Sequence, residues 1–208
     1  LTNLALQRLK DSEAEIVETE LPGLQQLIDL ATDVIQFRDA RVALERYLKE
    51  YHTGVTLEEL IRQASPDIQK IFQQYVLPGG KNVVSEQAYA AARDTHLPAL
   101  RGLYRDYFAR NRLAAMVFPT TLVPAPLIGE EATVHIGDRE IPFETAMSRN
   151  IAPGSTAGIP GLVLPCGLTA TGLPVGIEFD APTGADRALL ALGLSIERAL
   201  GLLPPPNV

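Results

Sequence analysis

Between residues 24 and 51 apolar side chains recur every three or four positions, at Leu27, Ile28, Ala31, Ile35, Leu44, Tyr47 and Leu48, with charges between them. That period predicts one long amphipathic helix, or two in series, ending at His52, Thr53 and Gly54. A weaker stripe at Leu4, Leu6 and Leu9 predicts a helix over residues 1–10. "EIVETE" (15–20) sets Ile16 and Val17 among acids and reads as a short edge strand ahead of the breaker Pro22-Gly23. "TLEELI" places Thr56 as an N-cap with Glu59 three residues on, a capping box. Ser65 before Pro66 and Asp67 marks a second helix start, and Ser85 a third, with the turn "LPGGKN" (77–82) between them. Pro98 should bend or divide the helix it falls in, because it lacks an N–H and crowds the preceding turn. Beyond it Leu100, Leu103, Tyr104, Tyr107 and Phe108 form a core-facing stripe.

The second half of the chain changes rhythm. "AAMVFP" (114–119) is apolar without alternation, as expected of a strand buried on both faces. "TTLVPAPLIGEE" (120–131) is a proline-stiffened loop, and "TVHIGDREIPF" (133–143) a small hairpin turning at Gly137-Asp138. In "STAGIPGLVLPCGLTATGLPVGIEF" (155–179), Gly158, Pro160 and Gly161 shape a turn into a buried strand over 162–165. Gly167 and Gly172 bracket a tight turn, and Pro174 opens the returning buried strand over 175–179. A last helix over 184–200 has Thr183 as its cap and Asp186 in its first turn; Gly201 and Pro204 to Pro206 stop it. These elements imply an α/β fold, a mixed β-sheet covered by α-helices, with residues 1–208 as a single globular unit.

Composition narrows the class. At 208 residues, 46% apolar and 21% charged, the chain can build one sizeable core. Its net charge of −7 and lack of any basic cluster exclude the usual electrostatic footprint of a nucleic-acid binder. No apolar run approaches the roughly 20 residues that span a bilayer, so neither a membrane nor a nucleic acid is an expected partner. Cys166 is the only cysteine, which excludes an internal disulfide and fits a reducing compartment, by default the cytoplasm. The chain begins at Leu1 inside an amphipathic pattern, as a chain does when cut into mid-fold.

Local chemistry is sparse. His52, His96 and His135 stand in unrelated contexts without ligand spacing, so no metal is expected. Glu130 and Glu131 read as a solvated loop pair. "GSTAG" (154–158) departs from the nucleophile elbow G-x-S-x-G, because its central residue is Thr156 and Ser155 lies one place early. "GIPG" and "TATG" lack the lysine and the strand–helix setting of a phosphate loop. Lys10, Lys49, Lys70 and Lys81 lie in polar contexts, and Cys166, without a neighbouring base, reads as a small core hydrophobe. No cofactor is implied.

The long glycine- and proline-punctuated stretch, followed by "GADRALLALGLSIERAL", closely resembles the C-terminal region of the amidase signature family. "MVFPTTLVPAP" resembles that family's strand and loop just upstream, and "LKDSEAEIVETELPGL" an earlier segment, so the resemblance runs from end to end. "SPDIQKIF", "LYRDYFARNRL", "FPTTLVPAPLIGEE" and "RNIAPGSTAGIPG" are most similar to the aryl-acetamide hydrolases of the mandelamide and indole-3-acetamide type. The resemblance implies hydrolysis of a small-molecule amide by a serine nucleophile, activated through a cis-bonded second serine and a lysine. Those three belong to the family's N-terminal half, and nothing here matches their glycine- and serine-rich signature, so no catalytic residue is carried over. The partners implied are the amide, the N-terminal part of the same enzyme and, for assembly, a homodimer. The loop 119–126 and the turn 154–160 are expected near the acyl portion of the substrate, with Thr120, Thr121, Ser155 and Thr156 supplying hydroxyls and Leu122, Ile159 and Cys166 an apolar lining. Two other readings stay open: a non-catalytic truncated relative acting as a binding or assembly subunit, and an independent enzyme using Ser155 or Cys166.

Overall fold

A computed structural model describes residues 1–129 and 132–205; Glu130, Glu131 and Pro206 lie outside the described residues. Its backbone contacts group into two compact units, one made of residues 23–100 and the other of Leu1–Pro22 with the described residues from Arg101 on.

In the first of these, the apolar period becomes a single helix, α2 (Leu24–Glu50), preceded by α1 (Thr2–Asp11) in the other unit. Thr53 N–H donates to Leu48 O where α2 ends, and His52 and Gly54 take positive φ to turn the chain away. The capping box closes α3 (Leu57–Gln63): Thr56 Oγ1 accepts from Glu59 N–H, and Glu59 Oε2 accepts from Thr56 N–H at 2.9 Å. Pro66 does begin α4 (Pro66–Ile71), yet Ser65 turns its hydroxyl to the Asp67 carboxylate instead of capping a backbone N–H. Ser85 caps α5 (Glu86–Ala91) through Ala88 N–H. Pro98 does not divide the helix. A single wide π turn at residues 92–96 runs on from α5 into α6 (Leu97–Asn111), placing the wider spacing of that turn just before the proline. The buried apolar residues of this unit include Ala31, Leu57, Ile61, Val76, Ala92 and Leu100.

The other unit is built on a three-stranded antiparallel sheet in the order β1 (Met116–Pro119), β5 (Pro174–Asp180), β4 (Gly161–Leu168). β5 is central, and its residues 177–180 are buried on both faces. β1 and β4 are edges. β1 is half-buried along its length instead of buried on both faces, and β4 alternates, with Gly161, Val163 and Pro165 exposed and Leu162, Leu164 and Cys166 turned inward. The period-2 pattern follows from the pleat, and full burial is reached only by the strand with neighbours on either side. Helices α1 and α9 (Asp186–Leu200) cover one face, where Ala5, Leu9, Cys166, Ile177, Phe179, Leu189, Ile196 and Leu200 form one core. Gly193 lets α9 approach β4 closely, since a methyl there would collide with Leu162.

Three local expectations change. Residues 15–20 form no strand with any of the described residues: Ile16 packs on the α1–α9 core while Val17, its immediate neighbour, stays exposed, so one anchored residue makes no ladder. Thr183 does not cap α9, whose N-cap is Ala185. A turn closed by Ala185 N–H to Pro182 O at 2.9 Å, with Gly184 at positive φ, delays the helix start. The turn before β4 is a one-turn helix, α8 (Ala152–Ala157), ended by Gly158 in the left-handed conformation. The predicted hairpin forms as β2 (Thr133–Ile136) and β3 (Arg139–Pro142), turning at Gly137, and α7 (Phe143–Ser148) follows it.

Candidate functional site

Alternation along β5 sends Ile177 and Phe179 into the α1–α9 core and Glu178 and Asp180 to the opposite face. Across the ladders Phe118 and Val163 stand opposite Glu178, and Met116 and Gly161 opposite Asp180. Both acids are buried, at 8% and 3% exposure. A carboxylate out of water without a cation is costly, so the neutral form gains. Burial, and then the neighbouring Glu178, pushes the Asp180 carboxyl up to about 7; burial pushes Glu178 up as well. Tyr104 of α6, also buried, is raised by desolvation and then by Asp180. Among the described residues Glu178 Oε2 and Thr120 Oγ1 are buried and find no hydrogen-bond partner.

Two segments meet at this face. After β1 the chain enters the loop predicted to face substrate, where Thr120 N–H donates to Gly176 O at 3.4 Å and the Thr120 hydroxyl lies over Gly176. Thr121 Oγ1 donates to Val123 O at 2.8 Å, and Leu122 N–H to Ala146 O at 3.1 Å. Asn150 Nδ2 donates to Pro119 O at 2.7 Å, tying this loop to the segment that carries α8. α8 rests on the sheet through Gly154, where any Cβ would strike Asp180 Oδ2, and Arg101 Nε of α6 donates to Ala157 O at 3.0 Å at its far end. Ile159 packs beside Gly154, Thr156 is half-buried and Ser155 is exposed.

Six of the seven residues expected at a substrate wall thus belong to these two joined segments: Thr120, Thr121 and Leu122 on one, Ser155, Thr156 and Ile159 on the other. Cys166 does not join them. It lies on the other face of the sheet, in the α1–α9 core, where burial raises its thiol away from reactivity. Glu178, Asp180, Asn150, Tyr104 and Arg101 were missed. For the acids the signal was present in "VGIEFDA", two carboxylates at i and i+2 in a strand that the pattern already marked as buried. For Asn150 and Arg101, which act over 31 and 56 residues of chain, no local signal exists.

Chemically the arrangement offers hydroxyls, backbone groups and a pair of protonatable acids. Cys166 is free and buried, and among the described residues no three His, Cys, Asp or Glu side chains are grouped to hold a metal ion. None of their helices is long and apolar enough to cross a membrane.

A family model described as Amidase matches residues 1–190. The chain is 36% identical over 194 residues to an indoleacetamide hydrolase of Agrobacterium vitis, covering 92% of this chain and 41% of that protein. It is 34% identical over 217 residues to a mandelamide hydrolase of Pseudomonas putida, covering 100% of this chain and 41% of that one. Among solved structures, one described as an amidase superposes with a TM-score of 0.71 at 27% identity, over 96% of this chain and 42% of its own. The peptide amidase of Stenotrophomonas maltophilia shares the fold, with a TM-score of 0.60 at 21% identity over 99% of this chain and 40% of its own. The chain therefore spans about two fifths of the length of the curated relatives it matches.

Proposed function

The chain belongs to the amidase family, and from that premise we propose that residues 1–208 are the C-terminal portion of an amidase signature domain. The complete enzyme hydrolyses the C–N bond of a linear, aryl-acetamide-like amide to a carboxylate and ammonia. The observation that carries this reading is the near end-to-end match to two arylacetamide-type hydrolases, each over 41% of its length.

In this reading the N-terminal portion supplies the serine, the cis-bonded serine and the lysine that the family resemblance implies. The serine hydroxyl attacks the amide carbonyl while its proton passes toward the lysine; the C–N bond breaks, and the amine leaves as ammonia with that proton. Water then hydrolyses the acyl-serine ester. Backbone N–H groups stabilise the oxyanion in both steps. The present chain contributes the wall that receives the acyl group, Thr120, Thr121 and Leu122 on one segment and Ser155, Thr156 and Ile159 on the other. Cys166 backs this wall from the far side of the sheet. A free cysteine suits a reducing compartment, in this reading the cytoplasm.

The test is ammonia release from indole-3-acetamide and mandelamide by this chain joined to the segment upstream in its reading frame, set beside the chain alone. Release by the joined protein only is expected. No release by the joined protein would favour the non-catalytic subunit, and release by residues 1–208 alone would favour a nucleophile within them.

A further inference from the structure

Resting on the wall assigned above, we propose that Asp180 is a positioning residue, its carboxyl wedged between Gly154 of α8 and Gly161 of β4 so that it sets the height of the turn 154–160 at the substrate.

Two glycine backbones close on the carboxyl. A methyl on Gly154 would strike Oδ2, and one on Gly161 would lie 2.8 Å from Oδ1 and 3.1 Å from Glu178 Oε1. Two glycines therefore face one acid from two different elements, and α8 sits at the distance from the sheet that the carboxyl dictates. Everything beyond Gly154 follows from that seat, because the one-turn helix carries Ser155 and Thr156 directly and hands on to Ile159 within two residues. Arg101 pins the other end through Ala157 O, so a change at Gly154 tilts the turn about that bond and does not merely translate it.

The strut is suited to the neutral acid. Among the described residues the ionisable neighbours of Asp180 are Glu178 on its own strand and Tyr104 on α6. α8 and β1 carry no ionisable side chain, and Cys166 of β4 lies on the opposite face. Arg101 spends its Nε on the far end of α8. Ionisation therefore creates a buried negative charge next to a second acid, and the relief open to it is to draw in water by lifting α8. The carboxyl, held up to about 7, makes that change near neutral pH.

Steady-state kinetics on the complete enzyme test this, with indole-3-acetamide as substrate. Asp180→Ala removes the wedge and Gly154→Ala forces it apart; each is expected to raise KM at least fivefold with kcat changed less than twofold. Asp180→Asn, the same shape without the charge, is expected to restore most of the KM lost in Asp180→Ala. The parent enzyme is expected to show a rise in KM between pH 6 and 8.5, and Asp180→Asn to abolish it. Unchanged KM in the first two variants, with only a lower Tm, would overturn the proposal, as would identical pH profiles for parent and Asp180→Asn. Should Asp180→Ala fail to fold, the pH comparison decides. If the parent hydrolyses no arylacetamide, the functional reading falls and the strut is read by hydrogen exchange at fixed pH. Faster exchange of residues 152–161 in Gly154→Ala than in Asp180→Asn, with α9 unchanged, supports it; equal or uniformly faster exchange refutes it.

Discussion

Asn150 Nδ2 donates to Pro119 O at 2.7 Å, joining the end of β1 to the segment that leads into α8. The two segments are far apart in sequence and supply the two halves of the proposed wall, so this bond fixes the spacing between the Thr120 hydroxyl and the α8 turn. Asn150→Ala removes the donor and leaves the half-buried Pro119 carbonyl without it, a loss of about 1–2 kcal/mol. The expected outcome is a Tm lower by a few degrees together with a several-fold higher KM. Loss of Tm with KM unchanged would mean that the bond holds the fold and not the wall.

Thr120 and Thr121 differ in what their hydroxyls do. Thr121 Oγ1 is engaged with Val123 O inside the loop, whereas Thr120 Oγ1 is buried over Gly176 with no partner among the described residues. Replacing Thr120 by Val keeps the shape and removes an orphaned hydroxyl; it should cost little stability and, if the hydroxyl meets substrate, lower kcat/KM about tenfold, the worth of roughly one hydrogen bond. Combined with Thr121→Ala, which frees the loop, the loss should be larger. An unchanged kcat/KM on phenylacetamide-like amides would remove both threonines from the wall.

Helix starts give a sharper, purely structural expectation. Thr56 and Glu59 satisfy one another's backbone donors reciprocally, and the hydrogen bonds from Thr56 hold the Glu59 carboxyl below its usual range. Thr56→Ala breaks both halves and should cost about 1 kcal/mol, read as a shift of the urea midpoint. Thr183→Ala should do nothing, because the cap of α9 is Ala185.

The contrast between Thr56 and Thr183 shows where the sequence was legible. At Thr56 the pattern is local and complete within four residues, and nothing competes with it. At Thr183 the same residue type stands before a helix, but Gly184 and the turn at Pro182 use up the intervening residues, and a backbone conformation decided the outcome. Pro98 differed for a related reason: a helix can widen one turn, an option invisible in residue spacing. The hairpin from β4 to β5 was legible because its glycines and prolines punctuate every change of direction. Which face each residue takes followed only in part. The residues around Cys166 predict a core position, which it has, but its face of the sheet depends on the bulge at residues 165–167 and on the helices packed there, which are tertiary facts. The acids of β5 were legible as an anomaly and became interpretable only with Gly154 and Gly161 in place beside them.

That anomaly has a stability signature of definite sign. In the unfolded chain Asp180 loses its proton near pH 4; in the fold it keeps the proton up to about pH 7. Between those values the folded state binds more protons than the unfolded one, so unfolding free energy falls as pH rises. The stabilisation is therefore whole below pH 4, declines through pH 4–7 and is gone above about 7, a swing of up to roughly 4 kcal/mol at about 1.4 kcal/mol per unit. Glu178, also raised, adds in the same direction. Exposed carboxylates with lowered values, Glu59, Asp67 and Asp94, act in the opposite sense at lower pH, so the bare stability profile mixes the two. Asp180→Asn separates them, since it alters only the raised group and keeps its shape. Urea unfolding at pH 4.5 and at pH 8 should show the variant gaining on the parent by at least 2 kcal/mol at the higher pH. A constant difference across that range would mean that Asp180 is ionised in the fold, and with it would go the neutral contact under Gly154.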